Sequence, residues 1–498
     1  MKICKTTWFR ILWLGLLLLV GQRPSLTHAA VTYWDPQGTT GGNPYTGNMS
    51  GTWENASWST ASGGLATPVN WNEGTAACFG VNTGNGTPAF TVTMNANHTI
   101  SGVFDGPLAP NSCNVTINGT GQWILSGVQG FDTFNNADGS LGLVTIAVPI
   151  IDGTSTGEVV MEGNGQFYLN AANTYSGNTF DGVTAGTQLG YSANPWTGVV
   201  NFNSSSSFGS GSIALRRGYS AAFGALVAEG TSAITLPNVL DFSHALSNAP
   251  FLNIVGNPAG VTFTAGAHLG TKAVNLGSGG SGNLVNISGV IDGSGSLTKF
   301  NNSVLELSAV NTYGGPTTIS AGTLKLGIAN AIASSSSVVL NGGTLDAGGF
   351  NHANTGTLGL SASSTLNFSG VANLLQFANS SAVAWTSGKV LNLADWTGNG
   401  HSGTEMEFGT DATGLTTAQL AEIEIDGNAA TLGTLSLDSG GFLVIPEPST
   451  ALLGLLGTIG MIIGRATQKL TCPAIGTHPH SVKCAHIQVQ LPRNPSAT

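Results

Sequence analysis

The chain has 498 residues, of which 41% are hydrophobic and only 8% are charged, and its formal net charge is −10. The hydrophobic content is ample for a folded core, which argues against a disordered protein, because disorder favours high charge and few apolar residues. All 24 acidic residues lie within residues 31–448, so nucleic acid and anionic lipid are poor partners for that span.

The first 30 residues have the order of a secretory signal peptide. Basic residues precede the apolar run 11–20, and the small residues Ala29 and Ala30 follow it. An uncleaved anchor is the alternative, but the apolar run is short for a bilayer span. The sequence therefore predicts export, with cleavage after Ala29 or Ala30.

Residues 31–135 differ from the rest because tryptophans cluster there, among Gly, Thr and Asn. The four that stand closest together are Trp34, Trp53, Trp58 and Trp71. A solenoid needs a cover over its open end. We interpret this segment as a β cap followed by the first coils of such a fold.

Of the five cysteines, only Cys78 and Cys113 lie in the part predicted to be exported. Cys4 belongs to the signal peptide, and Cys472 and Cys484 lie near the end of the chain. In an oxidising compartment a disulfide between Cys78 and Cys113 is one interpretation, and two buried thiols are the other.

Two stretches, residues 151–190 and 291–327, repeat each other. Ile-Asp-Gly, Asn-Thr-Tyr and Ala-Gly-Thr blocks recur in the same order and at near-constant spacing. Their equivalent positions are Ile151 and Ile291, Asn173 and Asn311, and Gly186 and Gly322. The block resembles the autotransporter-associated β-strand repeat, and this resemblance implies a passenger-type β-helix.

The physical pattern agrees with that resemblance. Short β-prone runs recur around the second copy, and apolar residues alternate with polar ones, which is typical of strands with one inward face. The runs are Val304–Leu307, Thr317–Ile319, Thr323–Leu326, Val338–Leu340 and Thr344–Leu345. The Gly and Asn pairs between them suit tight turns.

The sequence thus predicts an all-β protein, with a right-handed parallel β-helix, or β-solenoid, over residues 136–390. A single sandwich fits so long a span poorly, because single cores stop growing at about 250–300 residues. An array of small sandwiches is the alternative. In the solenoid, each coil buries the apolar interior of the next.

Residues 391–445 are predicted to form a further β segment with one short helix. Thr416 and Gln419 make a capping box, which predicts a helix directly after Thr416. A strand over Ile423–Ile425 should follow, and another run, Val390–Leu393, precedes the helix.

The most informative motif comes near the C-terminus. Pro446, Glu447 and Pro448 precede the apolar segment 449–464, and Arg465 follows as a basic cap. This order resembles the PEP-CTERM sorting signal of Gram-negative bacteria. The resemblance implies processing by a membrane-embedded exosortase and delivery to the cell surface or extracellular matrix.

We take residues 446–470 as the sorting signal and 449–464 as its one transmembrane helix. That helix would rise about 24 Å, short of the hydrocarbon core of roughly 30 Å, which suits a transient intermediate. The tail, residues 471–498, is predicted to be cytoplasmic or unstructured, and it departs from the family, whose members usually end soon after the basic cap.

The sequence contains no strong catalytic constellation. The carboxylate sets that acid/base chemistry on a polysaccharide could use are Asp132 with Asp138, Glu158 with Glu162, and Glu405 with Glu407 and Asp411. Many other acids stand in Asp-Gly turns, which explains them without catalysis. We predict no catalytic residue, no metal and no cofactor.

Carbohydrate contact is more credible than cleavage, because aromatic rings stack on sugar faces. The residues that we assign to such contact are Trp34, Trp53, Trp58, Trp71, Tyr175 and Tyr313. The competing interpretation is that these rings fill the cap and the repeat cores.

These observations favour an exported structural or adhesion protein of the cell surface or matrix, tethered to the inner membrane by its C-terminal segment during sorting. Its expected partners are the exosortase and extracellular polysaccharide. The alternative is a β-helix protein that binds or cleaves polysaccharide.

Overall fold

The computed structural model describes residues 30–445 except for 37–48, 62–65, 80–88, 106–112, 134–141, 164, 182–197, 216–224, 280–282, 335, 370–371, 399–400 and 430–434. The described residues belong to a compact unit, Met1–Ile445. Residues 1–29 of the predicted signal peptide lie outside them, as do the sorting residues Pro446, Glu447, Pro448 and Arg465 and the tail 471–498.

Within the described residues the chain forms forty strands and one short helix. The first part of the chain contains β1 (Val31–Trp34), β2 (Gly51–Thr52), β3 (Trp58–Ser59), β4 (Ala76–Cys78), β5 (Ala89–Met94), β6 (His98–Thr99), β7 (Gly102–Asp105), β8 (Asn114–Gly119), β9 (Trp123–Thr133), β10 (Leu143–Ile146), β11 (Ile150–Gly163), β12 (Gln166–Leu169), β13 (Thr179–Asp181), β14 (Val199–Phe202), β15 (Ile213–Leu215) and β16 (Ala225–Ala228).

The middle part contains β17 (Ile234–Leu236), β18 (Leu240–Asp241), β19 (Phe251–Val255), β20 (Val261–Phe263), β21 (Ala267–His268), β22 (Ala273–Gly279), β23 (Leu284–Ile287), β24 (Ile291–Asp292), β25 (Ser296–Phe300), β26 (Val304–Leu307), β27 (Thr317–Ile319), β28 (Thr323–Leu326), β29 (Val338–Asn341) and β30 (Thr344–Asp346). The last part contains β31 (His352–Thr355), β32 (Leu358–Ala362), β33 (Ser364–Asn367), β34 (Leu374–Phe377), β35 (Leu391–Ala394), β36 (Glu405–Phe408), α1 (Thr417–Leu420), β37 (Ile423–Ile425), β38 (Asn428–Ala429), β39 (Ser436–Leu437) and β40 (Leu443–Val444).

Three long sheets run along the molecule. Sheet A has twelve strands, in the order β24-β21-β18-β15-β13-β11-β9-β7-β4-β1-β3, with β6 beside β9. Sheet B has thirteen, β2-β5-β8-β10-β12-β14-β16-β19-β22-β25-β27-β29-β32, and sheet C has ten, β17-β20-β23-β26-β28-β30-β33-β35-β37-β38. The smaller sheets are sheet D, β31-β34-β36, and sheet E, β39-β40.

Each strand pairs with the equivalent strand of the next coil, and nearly all these pairs are parallel. In sheet C, for example, Leu305 faces Leu324, and Leu345 faces Leu366, at the same depth of the core. These leucines are fully buried and recur every 19 to 21 residues. Such stacking is a β-solenoid, so the parallel architecture is confirmed and the array of sandwiches is wrong.

The strand assignments around the second repeat are confirmed. Val304–Leu307, Thr317–Ile319 and Thr323–Leu326 have the predicted bounds, and the two later runs each extend one residue further. The alternating burial of these strands explains the agreement, because apolar side chains of one parity enter the core. The handedness of the coils and the boundaries at residues 135 and 390 stay predictions.

The N-terminal end is closed by a strand that turns back. β3 pairs antiparallel with β1 at the edge of sheet A, which shields strand groups that would otherwise lack partners. The tryptophans fill the space beneath: the ring centroids of Trp34 and Trp58 lie 5.0 Å apart, and those of Trp53 and Trp71 lie 4.9 Å apart. This geometry matches a cap.

Cys78 and Cys113 are both buried, and the disulfide between them stays a prediction. Side chains alternate along β4, and Cys78 packs with Ala76 and Phe104 on the side of sheet A away from the main core. Cys113 instead belongs to the main core, where its Sγ donates a hydrogen bond to the carbonyl of Phe79. The two sulfurs therefore lie in different apolar clusters.

The C-terminal end has its own closure. The capping box is confirmed: Thr416 Oγ1 accepts from Gln419 N at 3.2 Å, and Gln419 Oε1 accepts from Thr416 N at 2.7 Å. The Nε2 of Gln419 also donates to the carbonyls of Ser380 and Val383, both at 2.9 Å. One buried amide thus joins α1 to the segment that follows sheet D strand β34.

The predicted strand Ile423–Ile425 is confirmed as β37. β38 then pairs with it antiparallel at the edge of sheet C. In the described part of the chain no helix is long and apolar enough to span a bilayer. The predicted transmembrane segment 449–464 lies outside that part.

Candidate functional site

The asparagine of the Asn-Thr-Tyr block joins three successive coils. Asn311 Oδ1 accepts a hydrogen bond from Ile291 N at 2.7 Å, and Asn311 Nδ2 donates to the carbonyl of Ala331 at 2.6 Å. Ile291 lies one coil before Asn311, and Ala331 lies one coil after it. A buried side chain that satisfies backbone groups in both neighbours stabilises the stack.

The first repeat uses its asparagine in the same way. Asn173 Oδ1 accepts from Ile150 N at 2.8 Å, and Asn173 Nδ2 donates to the carbonyl of Ser207 at 2.6 Å. Both asparagines are buried. The block therefore acts as an inter-coil clamp, which explains its recurrence without a ligand.

The tyrosine of the block has a structural role as well. Tyr313 Oη lies 2.7 Å from Thr317 Oγ1, and Tyr175 Oη lies 2.5 Å from Thr179 Oγ1. Burial raises the pKa of Tyr313 to about 12, and it raises the pKa of Tyr175 further in the same direction. Both phenols are therefore neutral core groups at ordinary pH.

The six rings assigned to carbohydrate contact are all buried, so that assignment is wrong. Their exposed fractions do not exceed 8%, and no ring face is available to a sugar. The residues are Trp34, Trp53, Trp58, Trp71, Tyr175 and Tyr313. The competing interpretation, that they fill the cap and the repeat cores, is correct.

A different aromatic pair lies on the outer side of sheet B. Phe251 in β19 and Phe300 in β25 are both half-buried, and their ring centroids lie 5.4 Å apart at an interplanar angle of 76°. Their strand neighbours Leu252 and Leu297 point into the core. These two phenyl rings are therefore held at the surface by the alternation of the strands.

A glycine between the two strands lets these rings meet. Gly277 of β22 is the register partner of Asn253 on one side and of Phe300 on the other. A Cβ at Gly277 would lie 2.6 Å from the Phe300 ring, so only glycine leaves room for that ring to cover the strand.

Amide and hydroxyl side chains surround the rings. Asn301 Nδ2 donates to Asn253 Oδ1 at 3.0 Å, which orients both amides. Asn275, Thr298 and Thr318 form an adjacent row on three neighbouring strands. We call this surface the Phe251–Phe300 face, and its residues are Phe251, Asn253, Asn275, Thr298, Phe300 and Thr318.

No charged side chain occupies these rows. The face combines partly accessible phenyl rings with neutral donors and acceptors, a combination typical of surfaces that contact polar organic ligands. The sequence signal that could have identified it is parity. In β19, Leu252 and Ile254 are the inward residues, so the intervening pattern places Phe251 outside.

A lysine lies directly beneath the face. Lys299 is fully buried, and it stands in the inward row of sheet B between Leu276 and Ile319. Its Nζ donates to the carbonyls of Phe300 and Asn301, at 2.7 and 2.6 Å, and to that of Ala321 at 3.3 Å. Burial lowers the pKa of Lys299 to about 8.

Because of Lys299, the free energy of unfolding should vary with pH in the alkaline range. The pKa of Lys299 is lower in the folded chain than in the unfolded chain, so between pH 8 and 10 the unfolded state binds more protons and stability rises with pH. We expect the wild type to gain about 2 kcal/mol relative to Lys299→Met over that interval. Urea unfolding at several pH values measures the difference, and parallel profiles would contradict it.

An open groove lies at the carboxyl ends of β31, β34 and β36. It encloses about 470 Å³, and its polar side chains are Ser337, Asn354, Thr355, Thr357, Gln376 and Thr410. Gln376 is fixed from both sides, because its Oε1 accepts from Asn354 N and its Nε2 donates to Glu407 Oε2. The wall of the groove is thus ordered.

One of the three predicted carboxylate sets lies on and after β36. Glu405 and Glu407 lie on β36, and Asp411 follows it. Hydrogen bonds from the hydroxyl and backbone N–H of Thr413 lower the pKa of Asp411, so it closes a turn as a carboxylate.

Asp132 lies on β9 and Glu158 on β11, while Asp138 and the side chain of Glu162 fall outside the described residues. Over the part of the chain that is described, no three His, Cys, Asp or Glu side chains are grouped to hold a metal.

Comparison with known proteins identifies the repeats. A family model, the passenger-associated-transport-repeat, matches residues 159–187 and 297–326. The matches fall within the two stretches 151–190 and 291–327, and the second contains Asn311 and Tyr313. No curated protein and no solved structure matches the chain. The chain therefore carries two repeats of the kind associated with autotransporter passengers, built into a β-solenoid.

Proposed function

We propose that this protein is an exported, non-enzymatic rod that a PEP-CTERM signal sorts to the cell surface or extracellular matrix. The observation that carries the proposal is the use of the repeat signature. Asn173 and Asn311, with their tyrosines, hold coils together inside the stack. Residues used in this way build length rather than an active site.

The two ends of the chain carry the predicted targeting signals. The segment 1–30 has the order of a signal peptide, and Pro446, Glu447 and Pro448 precede an apolar stretch and a basic cap. The repeats that match the passenger-associated family support an exported, passenger-like protein. An exosortase would process the C-terminal signal after translocation and release the rod.

The proposed role is structural or adhesive. A parallel solenoid presents each outer row of side chains at the strand spacing of about 4.8 Å. Sheet C carries such a row over Thr323, Thr344 and Thr365. Repeated neutral contacts of this kind suit a surface that is weakly held at many points.

Replacing Pro446, Glu447 and Pro448 by alanine tests the sorting step. We expect the variant to stay in the inner-membrane fraction at its unprocessed size, because the exosortase no longer recognises the box. Immunoblots of fractionated Gram-negative host cells, probed for the exported part, measure this.

The matched control replaces Pro479, His480 and Ser481 of the tail by alanine, and surface delivery of that variant should equal that of the wild type. Surface delivery and processing of the box variant at the wild-type level would overturn the sorting proposal.

A further inference from the structure

We propose that the Phe251–Phe300 face binds a neutral polysaccharide chain. This inference rests on the proposed function, because it names the matrix component that the exported rod contacts. The face is carried by four neighbouring strands, β19, β22, β25 and β27, so its side chains keep fixed positions. Side chains on regular strands hold a binding geometry better than side chains on loops.

The chemistry of the face matches that of a sugar. A pyranose ring has an apolar C–H face and hydroxyl groups around its edge, and phenyl rings pack against such a face. Phe251 and Phe300 supply the rings, at a centroid separation of 5.4 Å. Amide and hydroxyl groups both donate and accept hydrogen bonds, as sugar hydroxyls require.

Charge selects a neutral glycan over an anionic one. The rows Asn275, Thr298, Thr318 and Asn253, Gly277, Phe300 contain no charged side chain. The lysine of β25, Lys299, points inward and is bonded to three carbonyls. Because the chain as a whole is acidic, a polyanion would be repelled and would meet no exposed cation on the face.

Spacing favours a chain that runs along the rod. Strands in a sheet lie about 4.8 Å apart, so a row across four strands covers about 14 Å. An extended glycan lying across the strands would meet a new side chain at every coil. Each contact is weak, and several simultaneous contacts raise the apparent affinity.

Affinity electrophoresis of the purified protein in gels that contain dextran, xyloglucan or hydroxyethylcellulose tests the proposal. We expect at least one of these neutral glycans to retard the wild type. The Phe251→Ala, Phe300→Ala double variant should bind that glycan about tenfold more weakly, since two stacking contacts are lost.

The matched control is Phe350→Ala, which removes a phenyl ring that is 39% exposed but lies outside the face. It should leave retardation unchanged. Circular dichroism of each variant checks that the strands are intact. If the double variant does not fold, Asn275→Asp supplies the second test: it adds a charge at the surface and should weaken binding of the same glycan.

Three results would overturn the inference: no retardation by any neutral glycan, equal retardation of the wild type and the double variant, or retardation only by anionic alginate or polygalacturonate. Sedimentation velocity could give a fourth result that overturns the inference. Self-association that the double variant abolishes would assign the face to a second copy of the chain. None of these measurements depends on sorting, so failure here is distinguishable from failure of the export proposal.

Discussion

Gly315→Ala is expected to lower the free energy of unfolding by about 2–3 kcal/mol, because the new methyl group has no space. A Cβ at Gly315 would lie 2.7 Å from the carbonyl oxygen of Gly295 and 2.8 Å from the Cβ of Ser296. The backbone N–H of Gly315 already donates to that carbonyl at 2.8 Å. The two coils cannot separate without losing this bond.

The neighbouring residue supplies the control. A Cβ at Gly314 would meet its nearest atom at 3.4 Å, an ordinary contact, and the residue is exposed. Gly314→Ala should therefore change stability by less than about 0.5 kcal/mol. Equilibrium urea unfolding, followed by circular dichroism, measures both variants. Equal effects at the two positions would show that close stacking of the coils is not the cause.

The first repeat places its own glycine in the same environment. The N–H of Gly177 donates to the carbonyl of Gly157 at 3.0 Å. A Cβ on Gly177 would lie 2.4 Å from that same oxygen, which is too close for an ordinary contact. The glycine two positions after the tyrosine of Asn-Thr-Tyr is thus explained in both copies by the close approach of the preceding coil.

Asn311→Asp is expected to destabilise the protein by about 3 kcal/mol at pH 7, although it replaces only the amide nitrogen by oxygen. The carboxylate would still accept from Ile291 N, but its second oxygen would face the carbonyl of Ala331, which now receives a hydrogen bond at 2.6 Å. Asn311 is buried, so the charge would also lose hydration.

Acid should reverse much of this loss. When protonated, the carboxyl group that Asn311→Asp introduces both donates and accepts, so the folded state raises the pKa of the new acid. Stability is then highest below the unfolded pKa of about 3.9 and falls as pH rises through the folded value. Urea unfolding from pH 4 to 7 measures this, with Asn341→Asp, an exposed position, as the control. A pH-independent loss at position 311 would contradict the clamp.

The coils could be predicted because their signals are local. Val304–Leu307 and Thr323–Leu326 alternate polar and apolar residues, and alternation is read from the chain without any knowledge of its neighbours. The same holds for the helix that follows Thr416, whose capping box involves residues three apart. Tertiary contacts reinforce these local preferences instead of opposing them.

The surface could not be predicted in this way, because ring type does not reveal which side of a coil a ring occupies. Trp53 and Tyr313 are large amphipathic residues, and here the stack encloses them. Phe251 and Phe300 are the more apolar rings, yet strand parity places them outside. A parity count along β19 would have identified Phe251 as an outer residue.

At β25 the parity count is harder to apply. Lys299 occupies an inward position that a charged residue rarely takes. Three backbone carbonyls around Nζ make this position possible. Those acceptors come from Phe300, Asn301 and the next coil, and their convergence depends on stacking that no single segment encodes.

Because each turn adds one strand spacing, the length of the solenoid depends directly on its number of residues. Thirteen strands of sheet B, spaced by about 4.8 Å, extend over about 58 Å, and each further turn of about 20 residues would add one spacing. The antiparallel strands β3 and β38 close sheets A and C irrespective of how many turns lie between them. Duplication or loss of a whole turn would therefore change the length of the solenoid while leaving both terminations intact.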